Sequence, residues 1–387
     1  MKGRTLLMIP GPIEFEPDVL QAMGQATISH VAADFCEVFG RALERMREVF
    51  LCPGGQPFVV AGSGTLAMDM AVANLVEPGD RALVVNTGYF SDRFAAILER
   101  YGAQVSHVRA PVGGAPGADE VEAALQQGDY ALVTVTHVDT STGVLADVQG
   151  IAALARRYGA LCVADGVCAT AGEECRQQEW GVDVYLTASQ KAIGVPPGLA
   201  LLVAGPLAID AWRARQSPVA NYYADFANWL PIMEAYEARR ASYFATPAVN
   251  LVSALDVSLG HILAEGLEAR FRRHRRIGDA CKAGIAALGL GQVAAPAVAA
   301  HTMTAPYYPE GVGPELLKAV LGAGAILAGG LQPEIKTRYF RIGHMGAVSA
   351  GDLLATLGAI EQGLAAVGYR FEPGAGVAAA QRELLKP

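Results

Sequence analysis

Val182-Asp183-Val184-Tyr185-Leu186-Thr187-Ala188-Ser189-Gln190-Lys191-Ala192-Ile193-Gly194-Val195-Pro196-Pro197-Gly198 sets a single lysine just past a mainly apolar run. A second apolar run, Leu199 to Val203, follows it. Lysine ordinarily keeps its charge in water. Between two buried strands, desolvation lowers its pKa and frees a nucleophilic amine, the property of an imine-forming lysine. A loop lysine reaching solvent would use the same residues, so the surrounding chain has to decide.

Upstream, short apolar runs alternate with helical spacing. Strands are expected at Phe58–Ala61, Arg81–Val85, Gln104–Arg109, Ala131–Thr136 and Leu161–Ala164. Helices are expected at Leu66–Leu75, Ser91–Tyr101, Asp119–Gln127 and Asp147–Tyr158. Strand–helix alternation of this kind gives a largely parallel sheet covered by helices on both faces. Ligands in such sheets bind at the carboxyl ends of the strands.

Several polar features fall at those ends. Gly62-Ser63-Gly64-Thr65 joins a strand to a helix N-terminus, where unpaired N–H groups and the dipole attract an anion. Simple N-capping by Ser63 or Thr65 is the alternative. Tyr89 or Phe90 offers an aromatic face. Thr140 sits in His137-Val138-Asp139-Thr140-Ser141-Thr142-Gly143, and Asp165 follows four apolar residues. A phosphate cradle, a ring-stacking face, a carboxylate and a desolvated lysine together meet the needs of pyridoxal phosphate. The carboxylate would keep the pyridine nitrogen protonated.

The 387 residues, 52% hydrophobic and 18% charged, suffice for a large and a small domain. A net charge of -8 gives nucleic-acid binding no support. The one basic run, Arg270 to Arg276, reads as a solvated or interface helix face. Six cysteines without a C-x-x-C pair or a histidine cluster argue against a metal or disulfide framework and fit a reducing cytoplasm. No signal segment or membrane-spanning apolar run is evident.

Beyond Gly205, helices are expected at Trp212–Tyr223, Asp225–Glu237, Asn250–Glu265 and through the basic run to Leu288. A smaller α+β unit and a closing helix from Ala350, capped by Ser349, end the chain. Arg341, inside the apolar strand Tyr339–Ile342, calls for an anion, either a substrate carboxylate or a structural acid. The expected organisation is an N-terminal arm over 1–20, a large domain over 21–250, and an interdomain helix with a small domain over 251–387.

These motifs, above all Ser189-Gln190-Lys191 followed by Pro196-Pro197-Gly198, resemble the class V, fold-type I pyridoxal-phosphate aminotransferases. The alanine–glyoxylate and serine–pyruvate or serine–glyoxylate group is the most similar. The resemblance implies a mainly parallel seven-stranded sheet between helices plus a small C-terminal α+β domain. It implies Lys191 as the imine-forming lysine and Asp165 beneath the pyridine nitrogen. Ser63, Gly64, Thr65 and Gln190 would hold the phosphate. Phe90 would stack on the ring, where mammalian-type members have tryptophan, and Thr140 would bond the ring oxygen. Tyr243 and Thr246 would reach the phosphate from a neighbouring subunit, making a homodimer. Arg341 would clamp the substrate carboxylate, and Pro10 and Gly11 of Pro10-Gly11-Pro12 would line the substrate pocket. The implied activity is ping-pong transfer of an amino group from alanine or serine to glyoxylate or pyruvate through the lysine imine. Aminoethylphosphonate and ureidoglycine aminotransferases are near alternatives. Gln190 in place of histidine separates the chain from cysteine desulfurases, and the missing G-x-G-x-x-G separates it from dehydrogenases. Lys191, Asp165 and Arg341 together argue against a non-catalytic protein on this fold.

Overall fold

In a computed structural model describing residues 5–386, the chain begins with an arm: β1 (Leu6–Leu7), then α1 (Pro17–Met23) and α2 (Ala33–Val49). The alternating segment follows as β2 (Gln56–Ala61), α3 (Gly64–Leu75), β3 (Arg81–Asn86), α4 (Tyr89–Arg100), β4 (Gln104–Arg109), α5 (Ala118–Leu125) and β5 (Leu132–Thr136). A small hairpin, β6 (Val138–Asp139) with β7 (Val144–Leu145), precedes α6 (Val148–Arg157), β8 (Leu161–Asp165), α7 (Gln177–Trp180), β9 (Val184–Ala188) and β10 (Leu199–Ala204). Helices α8 (Pro206–Arg213), α9 (Phe226–Glu237), α10 (Val249–Glu265) and α11 (Leu267–Ala287) lead to the C-terminal part. It holds β11 (Met303–Thr304), α12 (Glu315–Gly322), β12 (Ala325–Ile326), β13 (Ala328–Gly329), β14 (Phe340–Gly343), α13 (Ala350–Ala366) and α14 (Ala375–Leu384).

The seven-stranded sheet has the order β2-β10-β9-β8-β5-β3-β4. Its pairings are parallel except those of β10, which runs opposite to both neighbours. β10 can be reversed because the loop bearing Lys191 returns directly from β9 as a tight connection, whereas parallel neighbours need helical crossovers. Strands β5, β9 and β10 are buried along their whole length, as expected of a sheet covered on both faces.

The arm belongs structurally with the far end of the chain. β1 pairs in parallel with β12, Leu6 opposite Ala325 and Leu7 opposite Ile326. Met8 joins a core with Phe340, Ile342, Leu353 and Leu357. A smaller cluster, including Ile13, Cys168, Ala192, Met303, Tyr339 and Met345, fills the seam between that core and the main sheet. No helix among the described residues is long and apolar enough to cross a membrane.

Two helix expectations are corrected. Trp212–Tyr223 is not one helix: α8 stops at Arg213, and Ser217-Pro218 lies in the irregular stretch that follows. Proline disfavours the helical conformation at the residue before it. The closing segment is two helices, not one. It breaks between Ala366 and Ala375, where Gly368 and Gly374 adopt φ of 81° and 84°, a region that favours glycine.

The basic run also differs in part from the solvated or interface face expected. Arg270 is 5% exposed. Its guanidinium donates to Ala171 O, Ala192 O and Glu265. Arg273 binds the same Glu265, and His274 is fully buried. Arg272, Arg275 and Arg276 alone face outward. Helical spacing marks one face of α11, and the carbonyls that receive Arg270 come from segments 99 and 78 residues earlier in the chain; only packing brings them there.

Candidate active site

The turn after β9 is closed on itself. Ser189 Oγ donates to Pro196 O at 2.8 Å and accepts from Leu199 N at 3.1 Å. Gly194, with φ of 79°, returns its N–H to Lys191 O at 2.8 Å. Arg270 holds Ala192 O at 2.7 Å, and Ser258 donates to Ile193 O. Lys191 therefore has little backbone freedom. Its side chain is 8% exposed, and Nζ donates to Pro10 O. Burial holds the amine below its ordinary range; Cys168 opposes this and Arg341 reinforces it. The solvated-loop alternative is excluded.

Pro10 and Gly11 form the wall against that amine. A Cβ at Gly11 would lie 2.5 Å from Lys191 Cδ and 2.7 Å from Nζ, and its φ of 100° is a glycine conformation. The arm is locked here by Ile13 N to Gln190 O, 3.2 Å. Gln190 Oε1 is buried without a hydrogen-bond partner among the described residues.

Asp165 ends β8, paired in register with Thr136 of β5. It is 2% exposed. Oδ1 accepts from Val167 N at 2.8 Å. Burial, with Asp139 adding to it and Val167 N and Lys191 opposing, pushes the carboxyl up to about 7. Gly64 packs against this loop: a Cβ there would meet Val167 Cγ2 at 2.7 Å. The turn at α3 is thereby drawn onto the segment carrying Asp165. Ser63 occupies the N-cap position without a side-chain capping bond, so its hydroxyl is not used by the helix. Thr65 Oγ1 accepts from Arg93 at 2.9 Å. Capping by these two hydroxyls is not realised.

Phe90 lies in the first turn of α4, half-buried, with the Arg93 guanidinium 4.8 Å over its ring. Thr140 is buried, and its carbonyl accepts from Arg341 at 3.2 Å. Arg341, on β14, also donates to Gly329 O at 2.8 Å. Burial depresses its pKa. No carboxylate forms an ion pair with it among the described residues, so the structural-acid alternative is not met. Tyr243 is 63% exposed, in ring contact with His30 at 5.4 Å, and Thr246 is exposed. Within one chain neither bonds to the residues around Lys191.

Three groups escaped the sequence reading. Cys168, 1% exposed, bears on Lys191 and on the Thr140 and Thr302 hydroxyls. Arg93 ties Thr65 to Phe90. Asp139, fully buried, accepts from Ser141 and from the first turn of α4. Asp139 was visible as an acid directly before Thr140 at a strand end. Cys168 and Arg93 carried no comparable signal.

A family model described as Aminotransferase class-V matches residues 18–331. The chain is 40% identical over 362 residues to alanine–glyoxylate aminotransferase 1 of Saccharomyces cerevisiae, covering 90% of this chain and 94% of that protein. It is 30% identical over 390 residues to serine–glyoxylate aminotransferase of Arabidopsis thaliana, covering 99% and 96%. The crystal structure of ureidoglycine–glyoxylate aminotransferase from Bacillus subtilis matches with a TM-score of 0.92 at 26% identity, over 100% of this chain and 99% of that one. Lys191 and Asp165 follow or end neighbouring strands β9 and β8 of the main sheet, and the likeness runs along nearly the whole chain: the protein belongs to the class-V aminotransferases.

Proposed function

We propose that the protein uses pyridoxal phosphate to move the amino group of a small L-amino acid, alanine or serine, to glyoxylate or pyruvate. The observation that carries this reading is the Lys191 amine, buried, depressed in pKa and held by one backbone carbonyl. A lysine so placed costs stability, and buried, perturbed groups of this kind cluster at functional sites.

The residues fit the cofactor. Gln190 Oε1 is a buried polar atom without a partner, and Ser63 has a hydroxyl the helix does not use. Together with Gly64, Thr65 and the helix N-terminus they would hold the phosphate. Phe90 would stack on the ring, Thr140 would bond its oxygen, and Asp165 would face its nitrogen. Bound there, the cofactor supplies an electron sink that lets an amino acid's α-carbon release its proton. Lys191, its amine held below the ordinary range by burial, would take that proton and return it. Arg341, with no acid paired to it among the described residues, would grip the substrate carboxylate and orient the α-hydrogen toward Lys191. Pro10 and Gly11 would exclude water from that side.

The dimer is part of the proposal. Leu20, Met23, Ile28, Val31, Tyr222 and Tyr243 are large apolar side chains between 38% and 78% exposed. A second copy covering them would bring Tyr243 and Thr246 to the phosphate of the first. The six cysteines are free and buried, which suits a reducing compartment such as the cytoplasm.

The test is the visible spectrum of the protein loaded with pyridoxal phosphate. A yellow band that bleaches with L-alanine or L-serine and returns with glyoxylate is expected. A protein that takes up no cofactor would overturn the reading. A yellow protein indifferent to both amino acids would overturn the donor assignment alone.

A further inference from the structure

The first turn of α4 has no cap of its own. Gly88 stands at the N-cap position without a side chain. The turn's N–H groups are received instead by the β6 loop. Tyr89 N donates to Ser141 Oγ at 3.0 Å, and Phe90 N and Ser91 N donate to Asp139 Oδ2 at 3.2 and 3.4 Å. On its other side, Asp139 Oδ1 accepts from Ser141 N at 2.9 Å and Ser141 Oγ at 2.6 Å. The approach is close: a Cβ at Gly88 would lie 2.5 Å from Ser141 Oγ and 2.8 Å from Asp139 Cγ.

Thr140 lies between these two residues, and its carbonyl holds Arg341. Tyr339, two residues before Arg341, donates its hydroxyl to Ser141 O and receives Leu331 N and Gln332 N at 2.7 and 2.8 Å. One buried carboxylate thus fixes three things: the helix turn carrying Phe90, the loop carrying Thr140, and through that loop the guanidinium of Arg341.

We propose that Asp139 is a positioning residue that sets the plane of Phe90 and the placement of Thr140 and Arg341, so that the ring-stacking face and the carboxylate clamp are held in one register. The proposal rests on the assignment of Phe90 and Thr140 to the cofactor ring. Both oxygens of Asp139 accept backbone N–H groups, which an amide of the same shape cannot do. Asp139→Asn keeps the volume and must lose one side of the cap.

The experiment has two readouts. In the apoprotein, hydrogen exchange at Phe90 and Ser91 should quicken about 10-fold or more in Asp139→Asn. On loading, pyridoxal phosphate should bind about 10–100-fold more weakly, and its visible circular dichroism, which reports ring orientation, should fall. Ser141→Ala removes the Tyr89 acceptor and should move both readouts the same way by less. It also keeps the test available should Asp139→Asn not fold. Asp183→Asn removes a different buried acceptor, that of Cys162 N, and should change neither. Faster exchange with unchanged affinity and dichroism would reduce Asp139 to a helix cap and overturn the proposal. Unchanged exchange would overturn it outright. Failure of the native chain to bind pyridoxal phosphate would instead sink the functional reading, while exchange still reports whether Asp139 holds the turn.

Discussion

Lys191 and Asp165 carry opposite shifts for the same reason: each is buried where its charged form loses water. The consequence for Asp165 has a definite sign. Its folded pKa, about 7, lies above the ordinary aspartate value of 3.8. The folded chain therefore holds the proton more tightly between those values, and Asp165 costs stability increasingly as pH rises from about 4 to about 7. In the apoprotein, Asp165→Asn should remove that slope, by at most about 4 kcal/mol across the window. Denaturant midpoints of the two proteins at matched pH would measure it. Lys191→Ala should leave the fold intact and relieve a desolvated amine. It should slow the amino-acid half-reaction by about 10²–10⁴-fold or more, the range of a lost general acid–base group, read by single-turnover absorbance.

The elements show how far local rules reach. Ser349 was expected to cap the closing helix. It does, in a reciprocal box with Asp352: Ser349 Oγ accepts from Asp352 N at 3.1 Å, and Ser349 N donates to Asp352 at 3.0 Å. Such a cap lies within three residues, so sequence suffices to find it. Ser349→Ala should cost about 1 kcal/mol, seen as a lower melting midpoint with unchanged cofactor affinity. The α4 cap is the contrary case. Its acceptors come from residues some fifty positions away, and the local pattern Gly88-Tyr89-Phe90 contains none. The same distance explains Arg270: its neighbours in sequence are basic, but its partners Ala171 O and Ala192 O are set by packing.

At the scale of the whole molecule, the site lies on the seam between the main sheet and the C-terminal core. The arm's Pro10 carbonyl meets Lys191 there. One chain leaves Tyr243 and Thr246 in the open, which predicts complementation between subunits. Lys191→Ala and Tyr243→Ala chains, mixed and allowed to reassort, should recover about a quarter of native activity. Half the dimers would be mixed, each with one intact site. No recovery from a mixture shown to contain mixed dimers would place Tyr243 outside the shared site.

The alternating runs, the turn at Ser63-Gly64-Thr65, the acid ending β8 and the lone lysine after β9 were determined by the sequence. Each is a local signal, because strand and helix periodicities and strand-end chemistry need only neighbouring residues. Tertiary structure decided what those signals do together. It buried Lys191 against the arm's carbonyl, left Arg341 without an acid among the described residues, and pushed Asp165 up beside Asp139. It also turned an acid that reads as part of a polar loop into the cap of a distant helix. Desolvation and long-range hydrogen bonding depend on which segments meet, and a linear pattern of side chains does not contain that.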